Sequence, residues 1–212
     1  VPLPDLSRVA VLAVLVVGAL AIFSAERNLR GLHVVTKPLA TALLFLVVGR
    51  PRGSLGGWVE GGIALSIVGD VALLFPSDGA FIVGLAAFLL AHVAYVVGFA
   101  GAAGWALWLP LVVIATGAVT VTILRAIWPK TVGMHPPVVA YGLAITAMVT
   151  AAFGALAGGL PGGWLAAGGA LLFYASDASL ALNRFRSPIP HAAFLTLGLY
   201  WLGQLGIAIA AR

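Results

Sequence analysis

The 212-residue chain has no cysteine, and only 8% of its residues are Asp, Glu, Lys or Arg. Without cysteine there is no disulfide framework, thiolate zinc site, iron–sulfur cluster or cysteine nucleophile. Soluble domains carry about 25% charged residues. Here 11 basic and 6 acidic side chains are too few to give a molecule of this size a water-compatible surface, which excludes a soluble enzyme. Also missing are a Gly-x-Ser-x-Gly nucleophile elbow, a phosphate-cradling glycine pattern, and the Gly-x-Gly-Asp and Pro-Ala-Leu elements of aspartyl intramembrane proteases. His33, His92, His135 and His191 fall toward one face, yet no two have the spacing of a helical metal site, so neither metal nor cofactor is expected. The net charge of +5 is scattered along the chain and suits topology and lipid headgroups rather than nucleic acid.

What the chain has in excess is apolar length, 62% of its residues being hydrophobic. A bilayer core of about 30 Å takes roughly 20 residues of helix, fewer when flanking residues reach the interface. Eight runs fit: 9–23, 34–49, 57–75, 81–103, 107–127, 138–157, 163–182 and 192–211. Turn chemistry separates them at Pro51-Arg52-Gly53-Ser54, Pro76-Ser77-Asp78-Gly79, residues 158–163 and Ser187-Pro188-Ile189-Pro190, and least distinctly near Gly104. The expected fold is an all-α integral membrane protein of about eight transmembrane helices, a single domain over 1–212. Ala19-Leu20-Ala21 imitates a signal-peptidase site, but seven further spans favour an uncleaved first helix. Gly61-Gly62 and Gly168-Gly169 read as close helix contacts. Loops that follow odd spans hold Arg27, Arg30, Arg125, Lys130, Arg184 and Arg186, against Arg8, Arg50, Arg52 and Arg212 on the other face. The basic excess assigns the first set to the cytoplasm, and the expectation is a multi-pass protein of a bacterial inner membrane.

An internal echo adds detail. Gly69-Asp70-Val71-Ala72-Leu73, near the end of the third span, is similar to Ser176-Asp177-Ala178-Ser179-Leu180 near the end of the seventh. Tyr95 follows Asp70 by 25 residues and Tyr200 follows Asp177 by 23, while Lys37-Pro38 and His135-Pro136-Pro137 open the preceding even spans. Two parallel four-span halves, 1–103 and 104–212, would give this pattern. So would the shared composition of small-residue, Leu-rich helices.

An ionisable group near the bilayer centre costs roughly 2.5–3.5 kcal/mol on the mildest scale, so each one marks a site by default. Asp70, Asp177, Lys37 and His92 qualify. The third and seventh spans run toward the face from which the second and fourth leave, so all four groups belong to one leaflet and one polar cavity. Structural roles compete at each position. Asp70 paired with Lys37 would fix helix register; Asp177 could pair with Arg184; His92 could bond a carbonyl; Asn183 could cap its helix. Tyr95, Tyr141 and Tyr174 could be interfacial aromatics, although Tyr174 lies three residues before Asp177 and so shares its helical face.

Lys37-Pro38-Leu39, Gly69-Asp70-Val71-Ala72-Leu73-Leu74, Ala91-His92-Val93-Ala94-Tyr95 and the run from Tyr174 through Ser176-Asp177-Ala178-Ser179-Leu180 to Asn183-Arg184-Phe185 together resemble the YhhN-like lysoplasmalogenase family, over residues 28–210. The resemblance implies an eight-span enzyme that hydrolyses the vinyl ether bond of lysoplasmalogens to a fatty aldehyde and a glycerophospho-headgroup. Lys37, Asp70, His92, Tyr95, Asp177, Asn183 and Arg184 fall on polar positions of the family pattern. A lysophospholipid substrate and membrane lipids are then the partners expected. The chemistry suits the residues. Vinyl ethers hydrolyse by protonation of the alkene carbon, giving an oxocarbenium ion that water captures, so the site needs a carboxylic acid that keeps its proton. Burial disfavours the charged form of a carboxyl, which fits one of Asp70 and Asp177 as general acid. The other, ionised, would stabilise the cation and steer water, as paired carboxylates do in glycoside hydrolysis. Substrate contacts are expected from Lys37, His92, Tyr95, Tyr141, Tyr174, Asn183 and Arg184, with Arg184 suited to phosphate and Lys37 to the carboxylate. A proton-coupled transporter of small molecules or lipids is the alternative, since carriers also use parallel repeats, proline-broken helices and midplane carboxylates.

Overall fold

The computed structural model describes residues 5–50 and 53–212; Pro51 and Arg52 of the expected turn, and the Arg52 charge, lie outside them. In hydrocarbon every backbone polar group must be satisfied within its own segment, which leaves the helix as the solution for runs of this length. The helices are α1 (Asp5–Glu26), α2 (Arg30–Ala42), α3 (Leu44–Val48), α4 (Ser54–Ala72), α5 (Asp78–Ala100), α6 (Leu109–Ile127), α7 (His135–Ala157), α8 (Gly163–Phe185) and α9 (Ala192–Ala210). A short 3-10 turn, Trp128–Lys130, continues α6. Among the described residues they make eight segments long and apolar enough to span a membrane, because α2 and α3 are two pieces of one span. The chain is an integral, multi-pass, all-helical membrane protein.

Local chemistry explains the boundaries. Pro38 lies inside α2 and removes one backbone donor from a span that breaks at Leu43. The Ser77 side chain accepts from the Ala80 amide at 3.2 Å and caps α5. Gly159 and Gly162 supply the positive φ values, 80° and 77°, of the turn into α8. The faint break near Gly104 is genuine: residues 101–108 are not helical. The Gly104 amide donates to Gly154 O at 2.9 Å. A Cβ on Gly104 would stand 2.5 Å from Gly158 Cα, so the loop lies directly on the end of α7.

Glycine sets the closest helix contacts. A Cβ on Gly169 of α8 would come within 2.6 Å of Gly203 O, and one on Gly206 within 2.7 Å of Leu165 O, so α8 and α9 touch backbone to backbone. Between α4 and α5 the bare glycines receive rings: Gly62 lies under Tyr95 and Gly69 under Phe88. One member of each expected glycine pair makes the contact, while Gly61 and Gly168 face open space. The alternating direction of the spans brings the ends of α4, α6 and α8 and the starts of α2, α5, α7 and α9 to one end of the bundle, where the functional side chains gather.

Candidate active site

Asp70 stands in the last turn of α4 and is 1% exposed. Lys37, reaching from α2, places Nζ 3.5 Å from Asp70 Oδ1 and also donates to the Asp70 backbone carbonyl at 3.3 Å. Thr41, one turn further along α2, donates to Oδ2, and so does the Tyr200 hydroxyl from α9 at 3.1 Å. An ammonium and two hydroxyl donors are the set that an ionised carboxylate takes. The network continues behind them. Trp201 Nε1 donates to Thr41 Oγ1 at 3.2 Å. Gln204 donates to Ser66 Oγ at 3.0 Å and accepts from Tyr95 at 2.7 Å.

Asp177, on α8, has different surroundings. Tyr141 of α7 donates to its Oδ2, and His92 Nε2 of α5 lies 3.6 Å from the same oxygen. His92 is fully buried, packed edge-on to Tyr141 with ring centroids 5.2 Å apart and tilted against Phe173 at 4.8 Å. Neither of its ring nitrogens makes a hydrogen bond among the described residues. No Lys or Arg pairs with Asp177 among them. Its side chain keeps 13% of its exposure, against 2% for Asp70. Asp177 is thus the carboxyl that a ligand can reach.

Two spaces meet at that carboxyl. A cavity of about 310 Å³ is lined on its polar side by Lys37, Asp177, Asn183, Arg184 and Tyr200. An apolar groove between α5, α6, α7 and α8 is lined by Asp177 together with Phe88, Leu124, Ile145 and Ala181, among others. Asp177, Leu180, Leu73, Phe81 and Phe88 border both. Asp70 is not in the wall; it meets the cavity through Lys37 and Tyr200.

The remaining expected residues separate. Arg184 lines the cavity near the bundle end, pairs with Asp78 at 2.8 Å rather than with Asp177, and lays its guanidinium 3.9 Å from the Phe81 ring centroid. Asn183 lines the cavity too, and its Oδ1 accepts from the Ile189 amide at 2.8 Å, holding the α8–α9 turn. Tyr174 borders the groove, but its hydroxyl bonds Thr120 of α6 at 2.7 Å. Tyr95 reaches Gln204 instead of a carboxyl. The other histidines are dispersed: His33 is 3.0 Å from Ala21 O, His135 stacks on Trp128, and His191 meets Glu26 at 3.0 Å.

Thr41, Ser66, Trp201 and Gln204 are not among the residues expected from the sequence, and Tyr200 enters there only through the echo. A usable signal was there. Lys37 and Thr41, Ser66 and Asp70, and Tyr200 and Gln204 are each four residues apart in apolar spans, a spacing that puts two polar groups on one helical face.

The family model described as the YhhN family matches residues 32–211. Lysoplasmalogenase TMEM86B of Homo sapiens is 37% identical over 167 residues, covering 79% of this chain and 69% of that protein. The Sus scrofa protein of the same name is 32% identical over 180 residues, 82% of this chain and 71% of its own length. A lysoplasmalogenase of Mycobacterium bovis is 33% identical over 153 residues, 69% of this chain and 57% of that one. No solved structure matches the chain significantly.

Proposed function

The chain belongs to the YhhN family, and from that premise we propose that it is a hydrolase that cleaves the vinyl ether bond of lysoplasmalogens, with Asp177 as the general acid. The observation that carries this reading is the position of Asp177 where the polar cavity meets the apolar groove, engaged at Oδ2 by Tyr141 and facing that junction. A single-chain lipid has a matching division, a phosphate-bearing head at one end, a hydrocarbon at the other and the vinyl ether between them. The relatives carry an enzyme's name rather than a carrier's, which favours hydrolysis over transport.

In the proposed reaction the Asp177 acid gives its proton to the alkene carbon one bond beyond the ether-bearing carbon. The oxocarbenium ion forms next to the Asp177 carboxylate just created. Asp70, paired with Lys37, accepts from the Tyr200 hydroxyl and fixes both side chains in the cavity wall. Water attacks the cationic carbon and returns a proton to Asp177, and the resulting hemiacetal collapses to a fatty aldehyde and the glycerol hydroxyl of the headgroup. Asp70 acts through Tyr200 and Lys37 and is a positioning residue. Arg184, seven residues or about 10 Å along α8 from Asp177, is placed for the phosphate, with Asn183 beside it. The basic residues at this end of the bundle support a cytoplasmic leaflet for the site.

The test uses purified protein in detergent with lysoplasmenylethanolamine and its saturated-ether analogue. Aldehyde is expected from the vinyl ether alone, because only an alkene carbon can accept the proton. Equal cleavage of the saturated ether, or of neither lipid, contradicts the reading.

A further inference from the structure

We propose that the substrate's hydrocarbon chain lies in the apolar groove and leaves the protein sideways, through a portal between α6 and α8 whose sill is the hydrogen-bonded pair Tyr174 and Thr120. The inference rests on the lysoplasmalogen reading above and adds the path of the chain.

Two sides of the groove are closed and a third opens into the polar cavity. Toward the bundle end, Phe81, Ile127, Val138 and Phe185 form a buried apolar cluster across it. Phe81 and Phe185 meet edge to face at 5.6 Å, with the Arg184 guanidinium over Phe81. Toward the membrane midplane, Thr120 Oγ1 bonds both the Tyr174 hydroxyl and Thr146 Oγ1 at 2.7 Å, and Tyr174 also donates to Thr116 O at 3.3 Å. Those bonds tie α6 to α7 and α8 at the depth where the groove ends. On the third side the groove passes the shared wall at Asp177 and Leu180 into the polar cavity.

The fourth side faces lipid. Between the sill and the aromatic cluster, α6 presents Ile123 and Leu124, and α8 presents the small side chains Ala178 and Ala181 beside Asp177 and Leu180, the two that also border the polar cavity. Residues 177–183 of α8 are half-buried without interruption, the pattern of a helix with open space on two flanks rather than one packed face. The α6 span is also the least enclosed in the bundle, 17% buried against 50% for α9. From Thr120 to Ile127 the groove runs seven residues of α6, about 10 Å. A long alkenyl chain exceeds that length, so its distal part has to continue in the bilayer. The occupant is the substrate's single chain, because the groove is continuous with the cavity that suits the head and the two meet at the reactive carboxyl.

The protein therefore touches only the first part of the chain. Wild-type KM is measured in mixed micelles of fixed composition for lysoplasmenylcholines with hexenyl, decenyl, tetradecenyl and octadecenyl chains. KM is expected to fall until the groove is filled and then stay level to octadecenyl. Ala181→Trp, which puts a large ring in the portal, should raise KM more the longer the chain, by about ten-fold at the plateau, the worth of roughly two buried methylenes. Leu124→Trp, on the opposite jamb, makes the same test if Ala181→Trp does not fold, and the wild-type series needs no variant. A KM minimum at intermediate length followed by a rise would mean a closed pocket and would overturn the portal. KM independent of chain length would mean that the substrate chain does not occupy the groove, and an equal rise at every length in Ala181→Trp would place the chain elsewhere; either result overturns the proposal. Failure to hydrolyse any member of the series defeats the lysoplasmalogen reading itself, and the portal with it.

Discussion

At the residue scale, two aspartates at the same end of the bundle differ because of what faces them. Asp70 is enclosed by Lys37, Thr41 and Tyr200, whereas Asp177 meets a tyrosine hydroxyl and a neutral-capable imidazole. Removing one partner of a buried ion pair leaves the other charge uncompensated, a loss of about 3–5 kcal/mol. Lys37→Met should therefore lower thermal stability in detergent sharply, and the double variant Lys37→Met with Asp70→Asn should recover part of it. If the two changes simply add, Lys37 and Asp70 are not a pair. Asp177 predicts a kinetic effect instead. A rate-limiting proton transfer to carbon slows kcat in D2O, and an unchanged kcat would shift the slow step to product release. Both carboxyls and Lys37 were legible in the sequence because charge is conspicuous in an apolar span. The hydroxyl and amide partners were not, since Thr, Ser and Tyr are common in membrane helices and only their shared spacing of four set these apart.

At the element scale, the site depends on how closely helices approach. The Gly169, Gly203 and Gly206 contacts let α8 lie against α9, which places Asp177 on α8 and Tyr200 on α9 in the wall of one cavity. Adjacent glycines make the test. A methyl group added at Gly168 would meet nothing within 4 Å, so Gly168→Ala should be tolerated and gain up to about 1 kcal/mol from helix propensity. In Gly169→Ala the new methyl meets the Gly203 carbonyl at 2.6 Å, and the helices must separate. Lower melting temperature and lower activity are expected for Gly169→Ala alone; equal behaviour of the two variants would show that the contact does not position the site. Composition identified both glycine pairs but not the member that turns inward, because spans apolar on all sides have no polar stripe to set their rotation.

At the scale of the whole molecule, eight spans could be counted from hydrophobic length, and the faint break at Gly104 proved to be a loop seated on the end of α7. The opposed clefts on α8 were not foreseeable, since they depend on how four helices splay at one end. The proposed orientation follows from the basic residues gathered at the site end. The absence of native cysteine makes it measurable: Ser187→Cys, in the exposed α8–α9 turn, should react with an impermeant maleimide only from the cytoplasmic side. Labelling from outside intact cells would reverse the topology.

The claim on which the rest depends is that Asp177 supplies the proton, and turnover of lysoplasmenylethanolamine by Asp177→Asn measures it most directly. If Asp177 is the proton donor, kcat falls by about 10²–10⁴-fold in a variant whose melting temperature stays near that of the wild type. Aldehyde release at the wild-type rate from folded Asp177→Asn would contradict it.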